Sequence, residues 1–142
     1  MVQADLTISK SAANQAALPG TVRFVTDGTR RTLNAVTVRT SVATGRLRAG
    51  NQMRVRTSGL RVEGEVFNNT KYAEAVEQGT APHVIEPRTK KALKFRVGGR
   101  VVIVKKVHHP GTRGTHFMKR GLHDALAGRD GWDVVATVRN PV

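Results

Sequence analysis

Tyr72-Ala73-Glu74-Ala75-Val76-Glu77-Gln78-Gly79-Thr80-Ala81-Pro82-His83-Val84-Ile85-Glu86-Pro87 places a short amphipathic turn, a glycine stop and a proline-bounded extended segment in succession. Tyr72 to Gln78 predicts a short helix that buries Tyr72, Ala73 and Val76. Gly79 suits its C-terminal cap, where a Cβ would be costly. Pro82 and Pro87 predict a stiff, exposed, extended connection from Ala81 to Lys91, and stiffness lowers the entropy lost when a partner orders a loop. Helix followed at once by extended chain indicates a mixed fold.

Signals on either side extend that reading. Upstream, Met53, Val55 and Thr57 alternate with Arg54 and Arg56, and Leu60, Val62, Gly64 and Val66 alternate with Arg61, Glu63 and Glu65. With Ser58-Gly59 between them, they predict a β-hairpin with one solvated face. From Thr21 to about Thr40, Val22, Val25, Leu33 and Val36 fall at helical spacing, with Arg23, Arg30, Arg31 and Arg39 largely off the stripe, which predicts an amphipathic helix. Residues 1–18 are polar and Ala-rich, closed by Pro19-Gly20, and are expected to form a flexible or partner-ordered arm. Downstream, Ala92 to Val97 and Arg100 to Val107 read as strands joined by Gly98-Gly99, a strong hairpin signal. Thr115 can cap a helix to about Ala127 with Phe117, Met118, Leu122, Ala125 and Leu126 on one face. Trp132 to Val138 alternates and is expected to add an edge strand. The expectation is one α+β domain over 19–142, with an antiparallel sheet of four or five strands packed by the helices at 21–40 and 115–127.

The 142 residues suit one domain, which buries roughly 68–70% of its unfolded surface. There is no cysteine, which excludes a disulfide scaffold or thiolate metal site and fits assembly in reducing cytosol. The longest strongly apolar run, Val101-Val102-Ile103-Val104, is far short of the ~20 residues that cross a bilayer. The start Met1-Val2-Gln3-Ala4-Asp5 lacks the features of a signal peptide, so a soluble intracellular product without membrane partners is expected.

Net charge is +14, from 24 basic and 10 acidic residues. Arg88 to Arg120 holds eleven Lys or Arg and no acid, and Arg23 to Arg56 holds eight bases against Asp27. Between these blocks, Arg61 to Pro87 carries five Glu against Arg61 and Lys71. Such separation suits a polyanion, or contact between one subunit's acidic patch and a neighbour's basic one. Aromatic residues are 4% of the chain, too few for a base-stacking platform, and Phe95 is expected to face a core. Contact with nucleic-acid backbone charge needs only Lys and Arg.

Catalytic patterns are missing. His116 and His123 are two helical turns apart, whereas helical metal pairs stand three or four residues apart; with His83, His108 and His109 they read as surface and loop residues. Glu74 and Glu77 read as surface charges rather than an acid/base pair. No Gly-x-Ser-x-Gly or phosphate loop is present. Neither enzyme activity nor a metal or other cofactor is expected.

Three segments resemble the tail-component family of long-tailed phages, related to lambda's tail-completion protein Z. They are Ala43-Thr44-Gly45-Arg46-Leu47-Arg48; Tyr72-Ala73, Val76-Glu77, Gly79-Thr80, Pro82-His83, Ile85, Pro87 and Lys91-Ala92-Leu93 with Phe95; and Val107, His109-Pro110-Gly111-Thr112, Phe117 and Ala125-Leu126. Order and spacing agree from about Gly45 to Leu126. His116 stands where family members commonly have proline, and the tail from Gly128 to Val142, with Trp132, extends past the usual last helix. The resemblance implies a structural virion protein of the head–tail junction, assembled in the host cytoplasm. Its partners would be copies of itself in a ring, with six-fold symmetry plausible, neighbouring neck and tail proteins, and the genomic DNA backbone in the channel. Gly45, Leu47, Tyr72, Ala73, Val76, Gly79, Thr80, Pro87, Leu93, Phe95, Pro110, Gly111 and Phe117 would carry the structural motif. Glu74, Glu77, Pro82, His83, Glu86, Lys90, Lys91, Lys94 and His109 are the candidates for subunit contacts. The alternative is a small basic nucleic-acid-binding protein.

Overall fold

Helix α1, Leu18–Arg39, is the longest element among the described residues, and its sequence explains how so β-branched a stretch stays helical. Thr21, Val25, Gly28, Thr29, Thr32 and Val36 form its buried face. Each buried threonine hydroxyl donates to the carbonyl one turn back, as in Thr29 Oγ1 to Val25 O at 2.7 Å and Thr32 Oγ1 to Gly28 O at 2.9 Å. These groups therefore enter the core without an unsatisfied donor. Pro19 lies in the helix's first turn, where no intrahelical N–H is needed, so it starts the helix rather than closing off an arm.

The computed structural model describes residues 4–127. Their elements are β1 (Ala4–Ser11), α1, α2 (Arg46–Ala49), β2 (Asn51–Ser58), β3 (Arg61–Asn68), α3 (Ala73–Gln78), β4 (Gly79–Thr80), β5 (His83–Ile85), β6 (Leu93–Val97), β7 (Arg100–Val104), β8 (Val107–His109), β9 (Thr112–Arg113) and α4 (Phe117–Leu126). The fold is α+β with antiparallel pairing throughout. The sheet against which α1 packs has three strands in the order β1-β3-β2, while the remaining strands pair two by two. The four or five strands expected in one sheet are thus divided between that sheet and separate ribbons. The strand expected at Trp132 to Val138 lies outside the described residues.

β1 corrects the expectation of an arm over residues 1–18. Ala4, Leu6 and Ile8 are buried, and the strand pairs with β3 from Ala4↔Asn68 to Ser11↔Arg61. Its short alternation is too weak to stand out alone, and a partner more than fifty residues away supplies its hydrogen bonds.

Leu6, Ile8, Val36, Leu47, Val66, Ala73, Phe117, Met118 and Leu122 form the core between the sheet, α1 and α4. Full burial of one such side chain contributes about 1.5–3 kcal/mol. Glycine sets the closest approach of the two helices: a Cβ on Gly121 would lie 2.6 Å from the Val36 backbone nitrogen. Buried Asn68 closes one end, donating from Nδ2 to Leu47 O and Asn51 Oδ1, both at 2.8 Å, and accepting from Thr70 N. It ties α2, β2 and β3 together.

Candidate functional site

From Gly79 to His116 no residue is buried. This span leaves the core at the end of α3 and returns at the start of α4 as one long interrupted β-hairpin, the arm. Gly79↔Arg113, Thr80↔Thr112, His83↔His109, Val84↔His108 and Ile85↔Val107 keep a single register. In that register Pro82 stands opposite Pro110, and because neither has an N–H, the ladder breaks between β4–β9 and β5–β8. Beyond Ile85, residues 86–92 face only Lys105 and Lys106, so the outer ribbon β6–β7 starts in a new register, Leu93↔Val104, and ends at Val97↔Arg100. Gly98 and Gly99 make its two-residue turn with φ of 54° and 81°, the positive values such a turn requires.

Backbone geometry fixes the base of the arm. Gly79 has φ 84° and ψ 179°, a conformation open essentially to glycine, and a Cβ there would strike the β9 backbone. Gly111, at φ 88°, lies so close to the Thr80 carbonyl that a Cβ is excluded there too. Thr80 Oγ1 accepts from Thr112 N at 3.0 Å. His83 and His109 stack across the strands with centroids 4.9 Å apart. His83 Nδ1 donates to Ala81 O at 2.8 Å and His109 Nδ1 accepts from Gly111 N at 3.0 Å, so backbone groups orient both rings.

The outer ribbon differs from expectation. Phe95 faces no core; it is 37% exposed, and Val97, Val101 and Ile103 are more exposed still. Strand alternation places Leu93, Phe95, Val97, Val102 and Val104 on one face with Arg100 at the tip. Lys94, Arg96, Val101 and Ile103 occupy the other. Between the apolar face and the β5–β8 ribbon, Ile85, Leu93, Lys94, Phe95, Val107 and His109 line an open groove of about 360 Å³.

Glu77 is not at the surface, and its expected part in subunit contact is withdrawn. It is 2% exposed, and its carboxylate accepts from Met118 N at 2.9 Å and Lys119 N at 3.2 Å. A helix N-terminus presents backbone N–H groups with no intrahelical partner, and a carboxylate there gains from both the hydrogen bonds and the helix dipole. Thr115 does not cap α4; its N–H and hydroxyl both donate to Val76 O, at 2.8 and 3.1 Å. The N-cap position is His116, at φ 50° and ψ 40°.

The remaining candidates divide between the arm and the core. Pro82, His83, Glu86, Lys90, Lys91 and Lys94 are exposed on the arm, where His109 and Pro87 are half-buried and Pro110 is exposed. Glu74 is half-buried on α3. Leu47, Ala73 and Phe117 belong to the core, with half-buried Val76 packed against it. Gly45 opens α2 at φ 80°. Tyr72, expected to be buried, is 41% exposed and lines a small surface groove with Ala43, Gly45, Leu47 and Val76.

Four acids outside the arm pair with arginines of their own fold. Arg54 pairs through two nitrogens with Glu65, Arg61 with Glu63 at 2.8 Å, Arg30 with Asp27 at 3.7 Å, and Arg39 with Asp124 at 2.7 Å. The Arg39 hydrogen bond lowers the Asp124 pKa below its ordinary value. Among the described residues, no group of three His, Cys, Asp or Glu converges as a metal site, and no helix is long and apolar enough to cross a membrane. The ribbon's exposed aliphatic surface has no signature in strand pattern, which does not report what covers a face; the Lys and Arg alternation of β6 was the available signal. No family model, curated protein or solved structure significantly matches the chain.

Proposed function

We propose that this chain is a structural, non-catalytic subunit of the head–tail junction of a long-tailed phage. In this reading it is a neck or tail-completion protein that docks as part of a homo-oligomeric ring beside other neck and tail proteins. The observation that carries the reading is the arm, which extends an apolar ribbon face into solvent with no core residue over it. Exposed apolar surface concentrated on one element marks a binding surface, and a contact between unlike faces of neighbouring copies closes into a ring when the rotation permits.

The segments that resemble the tail-component family support the same assignment, because they are distant in sequence and adjacent in space. Gly79, Thr80, His83 and Ile85 pair across the base of the arm with Val107, His109 and Thr112. Pro82, His83, Glu86, Lys90, Lys91, Lys94 and His109 remain the contact candidates. One departure limits the transfer of detail. His116 stands where the family commonly has proline, and its φ of 50° is closed to a proline ring.

Purified virions provide the test. Mass spectrometry is expected to find the chain in a fixed ratio to the tail proteins, and imaging of a labelled subunit to place it at the neck. Its absence from virions, with normal head–tail joining in a phage that lacks it, would refute the assignment.

A further inference from the structure

We infer that the β6–β7 ribbon binds the phosphate backbone of double-stranded DNA, without reading sequence. The inference stands on the ribbon alone, independently of the phage assignment. Lys90 and Lys91 precede the ribbon, Lys94 and Arg96 lie on one face, Arg100 is at its tip, and Lys105 and Lys106 follow it. No acid lies between Glu86 and Asp124, so Glu86 alone offsets these charges along the arm.

Among the described residues, a second copy of the chain offers these cations few free acids, so its contact with the arm would rest on the apolar face. Glu77 is buried on α3 against the start of α4, Asp5 is buried, and Asp27, Glu63, Glu65 and Asp124 each face an arginine of their own fold. Of the other described acids, Glu74 is half-buried and Glu86 belongs to the arm itself. The partner must therefore bring its own dense negative charge. The cations occupy one face and both ends of the ribbon, which an acidic protein could match only with acids spread along the same path. A duplex offers that path without further design. Its major groove admits a two-stranded ribbon, and five-residue strands span about 17 Å at the usual rise. At one charge per ~1.7 Å of axis, that length lies beside about ten phosphates. Exposed Val101 and Ile103 on the basic face can rest on sugar edges, and the scarcity of aromatic side chains leaves base stacking out.

The test is fluorescence anisotropy of the full chain with a labelled random-sequence 30-base-pair duplex, across sodium chloride from 50 to 200 mM. Binding is expected to weaken steeply with salt. The triple variant Lys94→Gln/Arg96→Gln/Arg100→Gln should lose at least about tenfold in affinity, and its log–log salt slope should shrink by about three. Arg23→Gln/Arg31→Gln/Arg46→Gln removes the same charge from exposed positions of α1 and α2 and should change affinity less than about twofold. Because the ribbon packs on no core, the melting curve should be unchanged in the first variant. If it is not, Arg100→Gln alone should still reduce the slope by about one. Equal losses in the two triple variants, no binding at 50 mM salt, or displacement of the duplex by polyglutamate at equal charge concentration would overturn the inference. The last result would assign the ribbon to an acidic protein.

Discussion

The core and the arm are both mostly regular structure, yet different forces hold them. In the core, two helices and a three-stranded sheet bury Leu6, Ile8, Val36, Phe117 and Met118, and no buried side-chain polar atom among the described residues lacks a hydrogen-bond partner. In the arm, ladder hydrogen bonds, glycine-permitted turns and opposed prolines define the shape with no buried residue at all. An isolated two-stranded hairpin is marginal in water. The arm is thus positioned by its attachment to the core, and its apolar face gains stability only when something covers it.

Two phenylalanines expose the difference most sharply. Phe117→Ala should lower stability by about 3–5 kcal/mol, because it empties a fully buried site. Phe95→Ala, on the exposed ribbon, should change stability by less than about 0.5 kcal/mol. Chemical denaturation of both variants checks this, and equal losses would mean that the ribbon is folded into the core. The junction between the two regions comes next in size. Glu77→Ala strands two helix N–H groups in a buried place and should cost about 2–3 kcal/mol, with Glu77→Gln recovering part of it. A surface glutamate would leave the melting curve unmoved.

Charge provides the smallest effect, confined to the core. Because the Arg39 hydrogen bond depresses the Asp124 pKa in the folded state, the carboxylate favours folding above its unfolded pKa, and that contribution fades as pH falls through the lower, folded value. Asp124→Asn should therefore melt slightly below the parent at neutral pH and converge with it in acid. A gap that persists unchanged below pH 2 would contradict the pairing.

The α+β class, α1, the β2–β3 hairpin, the apolar face of α4 and the Gly98-Gly99 turn were legible because each rests on local periodicity or on local turn chemistry. β1 was not, since Ala4, Leu6 and Ile8 acquire meaning only beside β3. Glu77 read as solvated because its spacing from Glu74 fits an exposed helix face; only the approach of α4, forty residues on, makes it a cap. Phe95 read as interior because strand pattern reports which residues share a face, not whether anything covers that face. The exposed, extended connection from Ala81 to Lys91 was legible, but its pairing with the segment from Val107 to Arg113 and the exposure of the outer ribbon were not.

The separation of core and arm is tested most directly by excising the arm. Replacing residues 81–111 with Asn-Gly joins Thr80 to Thr112, which already face each other, through a two-residue turn. The shortened chain is expected to melt within a few degrees of the parent and to be absent from virions assembled in its presence. Loss of cooperative melting, or normal incorporation without the arm, would contradict the account.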